Sequence, residues 1–452
     1  MTKLRFIGPL ASVLLVAASL TAAEARLPHI DLQDTKLDNG LRVIIAVDRT
    51  APVFGIDVCY NTGSRNERPG RTGFAHLFEH MMFEGSENVG KGEHFILVLN
   101  NGGNMNGTTD NDRTTYFEAL PKNQLDLALY LESDRMRALD VTQDKLDNQR
   151  NAVQEERRLG IDNRPYGKAF LDIDNLAYDN FAYKHSVIGE MSDLNAASLA
   201  DVKDFRRIYY APNNAVLTLV GDLDPRETLE KVKKYFGAIP SQPAPPPVDL
   251  SEPEHYGERH ETVMDPLARA PMLVMAYHIP AGNTAGNWAI QPLQQVLTGG
   301  DSSRLYQDLV KNKQLATQIG ANADNRRGPS LFYIYAFLRP GVKPEEAEKA
   351  IRDDIAAVQK DGITDQELEK ARVQFLSQQI QSRESDLYTA IEIGDDTVNF
   401  GAPNLINTEV AQFDAVTADQ VKQAAQKYLV DKDLAVVADL PAPPAAKAGA
   451  GK

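Results

Sequence analysis

Residues 76–80 read His-Leu-Phe-Glu-His, so that two histidines flank a glutamate within a largely apolar stretch. In an α-helix His76 and His80 would lie one turn apart on one face, separated by a rise of about 6 Å. Two imidazoles at that spacing can bind one metal ion, and Glu79 would project beside them. The alternative is a core helix that carries two incidental histidines. A third ligand would decide between these two interpretations.

The best candidate for a third ligand is Glu156, in a helical segment whose apolar stripe includes Leu146 and Val153. Glu156 continues this stripe, so we expect its carboxylate to face the core. A carboxylate in that position is unfavourable unless a cation meets it, and a metal ion on the two histidines would supply one. Glu155 lies about 100° around the helix, where we expect water. The sequence thus predicts two histidines and one glutamate around a metal, the ligand number of catalytic zinc.

The H-x-x-E-H motif, followed by Arg150-x-x-Val153-x-x-Glu156, resembles the two-part zinc motif of the pitrilysin/insulinase (M16-type) peptidases, the inverzincins. Glu156 stands 76 residues beyond His80, a separation similar to that in the family. In length and motif the chain is similar to the beta subunit of the processing peptidases. The likeness covers most of residues 35–430, with matching segments at 106–116, 162–167, 210–215, 220–222 and 299–305.

This resemblance implies a zinc-dependent endopeptidase with one Zn²⁺ per chain. His76, His80 and Glu156 would hold the ion, and Glu79 would be the general base that takes a proton from water. One alternative is a structural or assembly subunit with a vestigial zinc site, although inactive relatives tend to lose these residues. Another is a small-molecule metal lyase, a class that shares the fold and motif but has much shorter chains.

The resemblance also implies how a substrate binds. An extended peptide would add as a strand to an exposed sheet edge that contains Asn106, Gly107 and Thr108. Gly107 has no side chain, so a peptide backbone can approach it closely; the alternative is a glycine that marks a bulge. Asn106 is a candidate for holding a substrate carbonyl.

The implied fold is α+β, with two homologous α/β domains of the LuxS/processing-peptidase metallohydrolase type, each a mostly antiparallel sheet packed with helices. A proline-rich linker, 240–253, divides the chain into a zinc-binding domain, 30–239, and a second domain without a metal site, 254–440. Residues 75–82 align without gaps against 290–297. The metal-site positions then match three glutamines, which suggests a repeated unit whose second copy lost its site; chance is the alternative. These glutamines are Gln291, Gln294 and Gln295.

Two β-rich runs, 41–47 and 53–60, flank a proline-containing turn and predict a β-hairpin. The second run contains the single cysteine, Cys59, which we expect to be a buried strand residue rather than a nucleophile. One cysteine forms no internal disulfide, so stability must come from burial of the 42% hydrophobic content. The remaining histidines lack metal-binding spacing and are expected at the surface or hydrogen-bonded in the core; they include His94, His185, His260 and His278.

The chain ends have their own composition. Residues 1–25 resemble a secretory signal peptide, in which Lys3 and Arg5 precede an apolar run and Ala-Glu-Ala follows at 23–25. A retained anchor is the alternative. We therefore expect an exported, periplasmic protein that has no membrane segment after cleavage. The low-complexity tail, 441–452, is expected to be disordered.

The net charge of −15 argues against nucleic-acid binding, because phosphate recognition needs a basic surface. An acidic surface can steer basic peptides toward a site. The alternative is that the charge only maintains solubility.

Longer family members carry an Arg and a Tyr in a later domain that reach the scissile peptide. The corresponding residues here are Val310 and Thr317, which lack the donor and the reach for those roles. A chain of this length also forms only half of the substrate chamber found in the longer family members. A closed chamber of that kind admits short or unfolded peptides. The resemblance therefore implies a heterodimer, in which a homologous partner supplies the Arg/Tyr pair; a homodimer is the alternative. Gln149 stands where some relatives have a second acidic residue near the zinc.

Overall fold

A computed structural model describes residues 27–254 and 257–443. The predicted signal peptide and residues 444–452 of the predicted tail lie outside this part. None of the helices in the described ranges is long and apolar enough to cross a bilayer. Residues 240–253 contain no helix or strand and connect the two halves of the chain.

Each half of the chain contributes one mixed sheet. The first sheet consists of β1 (Leu32–Lys36), β2 (Arg42–Val47), β3 (Val53–Tyr60), β4 (Asn104–Thr109), β5 (Thr114–Pro121) and β6 (Ala215–Gly221). The second consists of β7 (Arg259–Asp265), β8 (Met272–Ile279), β9 (Ala316–Ala323), β10 (Ser330–Leu338) and β11 (Leu434–Pro441).

Helices surround both sheets. Those of the first half are α1 (Phe74–Met81), α2 (Glu93–Asn100), α3 (Leu125–Ala138), α4 (Gln143–Arg157), α5 (Gly167–Ala177), α6 (Phe181–Lys184), α7 (Met191–Ala196), α8 (Leu199–Tyr209) and α9 (Pro225–Phe236). Those of the second half are α10 (Ala285–Ile290), α11 (Pro292–Thr298), α12 (Pro344–Asp361), α13 (Asp365–Arg383), α14 (Asp386–Phe400), α15 (Leu405–Asp414) and α16 (Ala418–Tyr428).

The two sheets share one topology. The strand order is β1-β2-β6-β3-β5-β4 in the first and β7-β11-β8-β10-β9 in the second, which is the same order once β1 is set aside. In each, one pair is parallel, β2 with β6 and β7 with β11, and the other neighbours are antiparallel. The predicted α+β fold of two homologous domains is therefore confirmed, and the strand orders agree with the repeat that the aligned helices suggest.

The predicted hairpin of β2 and β3 is wrong. Strand β6 lies between them, parallel to β2 and antiparallel to β3. The turn that joins β2 to β3 crosses the end of β6, where Asp48 N–H donates to Gly221 O at 2.9 Å and Asp222 N–H donates to Val53 O at 2.9 Å. The chain does turn at the proline, but β6, which is distant in the sequence, lies between the two strands that a hairpin would pair directly.

Strand β3 shows that both faces of the first sheet are buried. Phe54, Ile56 and Val58 point to the core formed with α1 and α3, whereas Asp57 and Cys59 point to the opposite face. All are buried because helices cover both faces, as near-continuous apolar strands require. Cys59 is a buried strand residue, as predicted.

One helix of each half covers the sheet of the other half. Helix α14, from the second half, packs on β3, β5 and β6, and its Ala390 and Ile393 join Cys59 in one cluster. Helix α5, from the first half, packs on β7, β8 and β11 through Ala169 and Ile173. The two halves are therefore held together by the packing of these two helices as well as by the linker.

A buried carboxyl beside α14 leads to a prediction for stability. Burial and the neighbouring Glu392 raise the pKa of Glu409 on α15 to about 9. Arg383, whose guanidinium lies 3.4 Å away, lowers this pKa but does not outweigh burial, so Glu409 is protonated in the folded chain at neutral pH; it ionises in the unfolded chain above its ordinary pKa of 4.5. Its contribution to stability is complete below that value and is lost as the pH rises toward 9. We expect the free energy of unfolding, and with it the thermal midpoint, to decrease from about pH 5 to about pH 8; this group contributes up to about 1.4 kcal/mol per pH unit.

Thermal unfolding across this pH range tests the expectation. Glu409→Gln should flatten the dependence, whereas Glu369→Gln, at an exposed carboxylate on α13, should leave it as in the wild type. An identical slope in Glu409→Gln and in the wild type would contradict the assignment.

Candidate metal centre

The helix that carries His76, Glu79 and His80 begins at Phe74. Gly73 precedes α1 with a φ of 81°, a left-handed conformation that favours glycine. The buried carboxylate of Glu67 accepts the backbone N–H groups of Gly73 at 2.8 Å and of Ala75 at 2.7 Å. These bonds satisfy amides at the helix start that have no partner within the helix. The start of α1 is thus fixed independently of any metal.

The two histidines lie one turn apart on α1, and their ring centroids are 4.7 Å apart. Glu156, near the end of α4, reaches both: its Oε2 is 3.4 Å from His80 Nε2 and 3.7 Å from His76 Nε2. The structure therefore brings together the three residues that the sequence singles out from segments far apart in the chain.

Glu156 differs from the sequence expectation in its burial. Its side chain is 50% exposed, although Leu146 and Val153 on the same stripe are fully buried. The reason is that the apolar face of α4 is no longer covered near the last turn of the helix, so Glu156 lies beside the two histidines at a site that is open to solvent. Glu155 points away from the histidines and pairs with Arg158 at 3.0 Å, as expected for a solvated face.

The three ligand atoms fit a zinc ion. Zinc bonds nitrogen and oxygen at about 2.0–2.2 Å, so that two tetrahedral ligands lie about 3.3 Å from one another. The three ligand atoms here all lie within 4.8 Å of one another, and the His80–Glu156 separation of 3.4 Å matches that geometry. The set of two imidazoles and one carboxylate is also a set that zinc hydrolases use.

A chain of polar side chains orients His80. Its Nδ1 lies 3.2 Å from Gln149 Oε1, so Nδ1–H donates; Nε2, which faces Glu156, presents its lone pair to a metal once its own proton is lost. The Gln149 amide in turn donates to Glu84 Oε1 at 2.5 Å, and Lys91 Nζ lies 2.8 Å from Glu84 Oε2. Gln149 thus takes part in the site as a hydrogen-bonding residue. The contribution of Glu84 was not predicted, since nothing in its sequence spacing connects it with the histidines.

Glu79 lies beside the histidines and is only 7% exposed. Its Oε2 accepts a hydrogen bond from Thr109 Oγ1 at 2.5 Å. Sequence reasoning missed Thr109, although it follows Thr108 directly within the matched segment 106–116. Glu79 is therefore a buried carboxylate, close to the ligand atoms and held by a residue of β4.

Charges and burial at the site shift its pKa values in different directions. Burial, and next the neighbouring His80, lower the pKa of His76 to about 4. Burial raises the pKa of Glu79. The hydrogen bond with His80 lowers the pKa of Glu156. A neutral His76 and an ionised Glu156 are the forms that bind a metal, and a raised pKa makes Glu79 a better proton acceptor than an ordinary carboxylate.

The three predicted substrate-contact residues lie on an edge strand. Among the described strands β4 pairs only with β5, so its outer edge is open. Asn106 and Thr108 are exposed, and the Asn106 side chain accepts the N–H of Gly107 at 2.9 Å. A Cβ at Gly107 would lie 3.2 Å from the Phe83 ring. Gly107 is therefore close-packed on its inner side, which adds a packing reason for glycine to the predicted approach of a peptide.

The second half uses the equivalent positions for ordinary hydrogen bonds. Gln294, which aligns with Glu79, accepts the N–H of Ala323 on β9 at 3.2 Å, and Gln291 donates to Asn287 at 2.9 Å. Strand β9 occupies the place that β4 has in the first sheet. The amide of Gln294 thus contacts the edge strand as Glu79 does, but without metal ligands around it.

Two other groups of His and Glu side chains already hold an arginine. His94 Nε2 lies 2.5 Å from Glu118, but Arg135 donates to the adjacent Glu132 at 2.9 Å within the same buried group. The second group, Glu258, His260 and Glu348, is bridged by Arg352. A guanidinium supplies the positive charge in both, so these groups are ion-pair networks, and His94 is a hydrogen-bonded core residue as expected.

Comparison with known proteins agrees with this site. Residues 42–189 match the sequence model described as Insulinase (Peptidase family M16), and residues 196–375 match that of the Peptidase M16 inactive domain. The zinc protease PqqE of Helicobacter pylori is 31% identical over 94% of this chain and 96% of its own length.

Solved structures agree as well. A protease from Helicobacter pylori superposes with a TM-score of 0.88 at 30% identity, covering 91% of this chain and 100% of that one. The periplasmic protease PqqL of Escherichia coli has a similar fold, with a TM-score of 0.73 at 19% identity; 93% of this chain covers 50% of that protein. The insulinase model covers the part of the chain with His76, His80 and Glu156, and the inactive-domain model covers the part with Gln291, Gln294 and Gln295. Together with the similarity to PqqE along nearly the whole chain, these matches show that the protein belongs to peptidase family M16.

Proposed function

We propose that this chain is a zinc-dependent endopeptidase that hydrolyses short or unfolded peptides. The observation that carries the proposal is the convergence of His76, His80 and Glu156 beside the buried carboxylate of Glu79. The names of the relatives, which are zinc proteases, support the same reaction class. His76, His80 and Glu156 would hold one Zn²⁺ per chain.

Amide hydrolysis needs an activated water, a polarised carbonyl and a proton for the leaving nitrogen. Zinc, when bound, supplies a Lewis acid and lowers the pKa of a coordinated water toward about 7. Glu79 would accept a proton from the attacking water and pass it to the leaving amine. Gln149 keeps the His80 ring in the orientation and tautomer that present Nε2.

A peptide substrate would bind as an additional strand on the open edge of β4. Backbone groups of Asn106, Gly107 and Thr108 would pair with it, and such main-chain pairing does not depend on the peptide's side chains. Strand addition requires an extended peptide, so folded proteins are poor substrates. This strand also contains Thr109, so the substrate and the base share one structural element.

A homologous partner chain would complete the active enzyme. Val310 is half-buried against the core of the second half, and the Thr317 hydroxyl donates to Phe337 O at 3.1 Å, so neither side chain offers the donor of an Arg/Tyr pair. The twofold length of the similar PqqL chain is consistent with two such chains forming one chamber. In this proposal our chain supplies the zinc and the partner supplies the Arg/Tyr pair. Export to the periplasm by the N-terminal segment belongs to the same proposal.

Hydrolysis of a quenched-fluorescent peptide library tests the function. The chain is assayed alone and mixed with a homologous chain from the same source, with Glu79→Gln in both arms. Zinc-dependent cleavage that appears only in the mixture is the expected result and would also give the cleavage preference. Strong cleavage by the chain alone would refute the partner, and no cleavage in either arm would refute the peptidase, leaving the structural subunit.

A further inference from the structure

The proposed base, Glu79, accepts a hydrogen bond from Thr109, a residue outside the zinc motif. Thr109 Oγ1 donates to Glu79 Oε2 at 2.5 Å, a length typical of a hydrogen bond from a hydroxyl to an ionised carboxylate. Glu79 is almost completely buried, so little water competes for this oxygen. Thr109 takes one acceptor position on Oε2, which leaves Oε1 as the less engaged oxygen of the carboxylate. The hydroxyl thus selects the orientation of the carboxylate.

The position of Thr109 is set by the turn between β4 and β5. Thr109 pairs with Thr114 at the end of the ladder. Asp110 Oδ1 accepts the N–H groups of Asp112 at 2.7 Å and of Arg113 at 2.8 Å, which closes the turn. The turn is therefore defined by its own hydrogen bonds, and Thr109 is the strand residue immediately before it.

The second half of the chain holds this same turn. Arg113 Nε lies 2.8 Å from Asp395 of helix α14, and Arg113 also donates to Thr108 O at 3.0 Å. Asp112 accepts the backbone N–H of Arg327 at 2.9 Å. Helix α14 is the element that covers the sheet of the first half. The half without a metal site thus contacts Asp112 and Arg113, on the C-terminal side of the turn that follows Thr109.

We propose that Thr109 is a positioning residue for Glu79, and that the second half sets its position through the Asp395–Arg113 contact. The proposal rests on the proposed peptidase function. It gives the second half a role in catalysis that does not require any metal ligand or substrate contact of its own. Thr109 lies on the strand that receives the substrate, so the same contact fixes the register between the base and the peptide.

Three variants test the role of Thr109. Thr109→Val removes the hydroxyl at nearly constant shape, and Thr109→Ser keeps it. Thr262→Val is a matched control, because Thr262 is an exposed residue on strand β7. We expect Thr109→Val to lower kcat by about 10- to 100-fold, the effect of losing a hydrogen bond to a charged group. KM and zinc content should stay unchanged, and Thr109→Ser should retain most of the activity. A purely structural role would instead lower the unfolding midpoint or zinc content, and that result, or a kcat equal to the wild type, would overturn the proposal.

A double-mutant cycle tests the role of the second half. Asp395→Ala should lower kcat in the wild type, and Arg113 keeps a partner in Asp110 at 3.3 Å, so the variant leaves no unpaired cation. In the Thr109→Val background the same change should cause little further loss, because its effect acts through the hydroxyl. Equal losses in both backgrounds, or no loss in either, would refute the coupling.

All variants are assayed in the preparation, chain alone or mixture, in which the wild type is active. A wild type without zinc-dependent cleavage in both preparations would remove the proposed function and this inference together. An active wild type with an equally active Thr109→Val would remove the inference alone.

Discussion

Replacing Glu79 by glutamine is expected to abolish nearly all peptide hydrolysis while zinc stays bound. Glutamine has almost the same shape and can still accept the hydrogen bond from Thr109, but it cannot take up a proton. General acid–base catalysis typically contributes about 10²- to 10⁴-fold, so we expect kcat to decrease by about that factor. The metal ligands are untouched, and replacing a buried carboxyl by a neutral amide should not destabilise α1.

The measurement is kcat on a cleaved peptide together with zinc content by elemental analysis. An active Glu79→Gln protein would show that another group acts as the base. Loss of zinc in this variant would show instead that Glu79 is a ligand, and the assignment of Glu156 as third ligand would then have to be revised.

The adjacent glutamates of α4 allow a matched comparison with the second largest effect. Glu156→Gln should weaken zinc binding by more than about 100-fold, because even residues that only support a ligand contribute 10- to 100-fold. Glu155→Gln should bind zinc as the wild type does, since Glu155 contacts Arg158 at the surface and such pairs contribute little. The two variants have the same change in charge at neighbouring positions, so a general electrostatic effect would appear in both.

Competition with a zinc-binding dye measures both affinities. Activity of Glu156→Gln at limiting zinc should be lost, and part of it should return when zinc is in excess. Equal affinities of the two variants would contradict the ligand assignment, and a larger effect at Glu155 would reverse it.

Much of the site follows from local sequence patterns. His76, Glu79 and His80 are one turn of a helix, so their relative placement depends only on helix geometry. Glu156 is also predictable, because its helical spacing singles it out and the resemblance to the family implies a third ligand at that separation from His80. Its exposure is not predictable, since the position where α4 leaves the core depends on how α1 and α4 pack.

The parts that sequence reasoning missed depend on contacts between distant segments. The pair β2 and β3 has the pattern of a hairpin, yet β6, more than 150 residues later, lies between them. The exchange of α5 and α14 between the sheets is equally invisible, because an amphipathic helix does not specify which sheet it covers. Thr109 and Glu84 were missed for the same reason, because each is connected with the site by a hydrogen bond to a residue on another element.

Zinc titration of the chelator-stripped chain tests the central claim most directly, with peptide hydrolysis measured at each addition in the preparation that is active. Stripped protein should be inactive, and activity should rise to its maximum at one equivalent of zinc per chain. Glu79→Gln should take up the same single equivalent without gaining activity. Full hydrolysis by the stripped protein, or uptake of no zinc by the wild type, would contradict a zinc peptidase built on His76, His80 and Glu156.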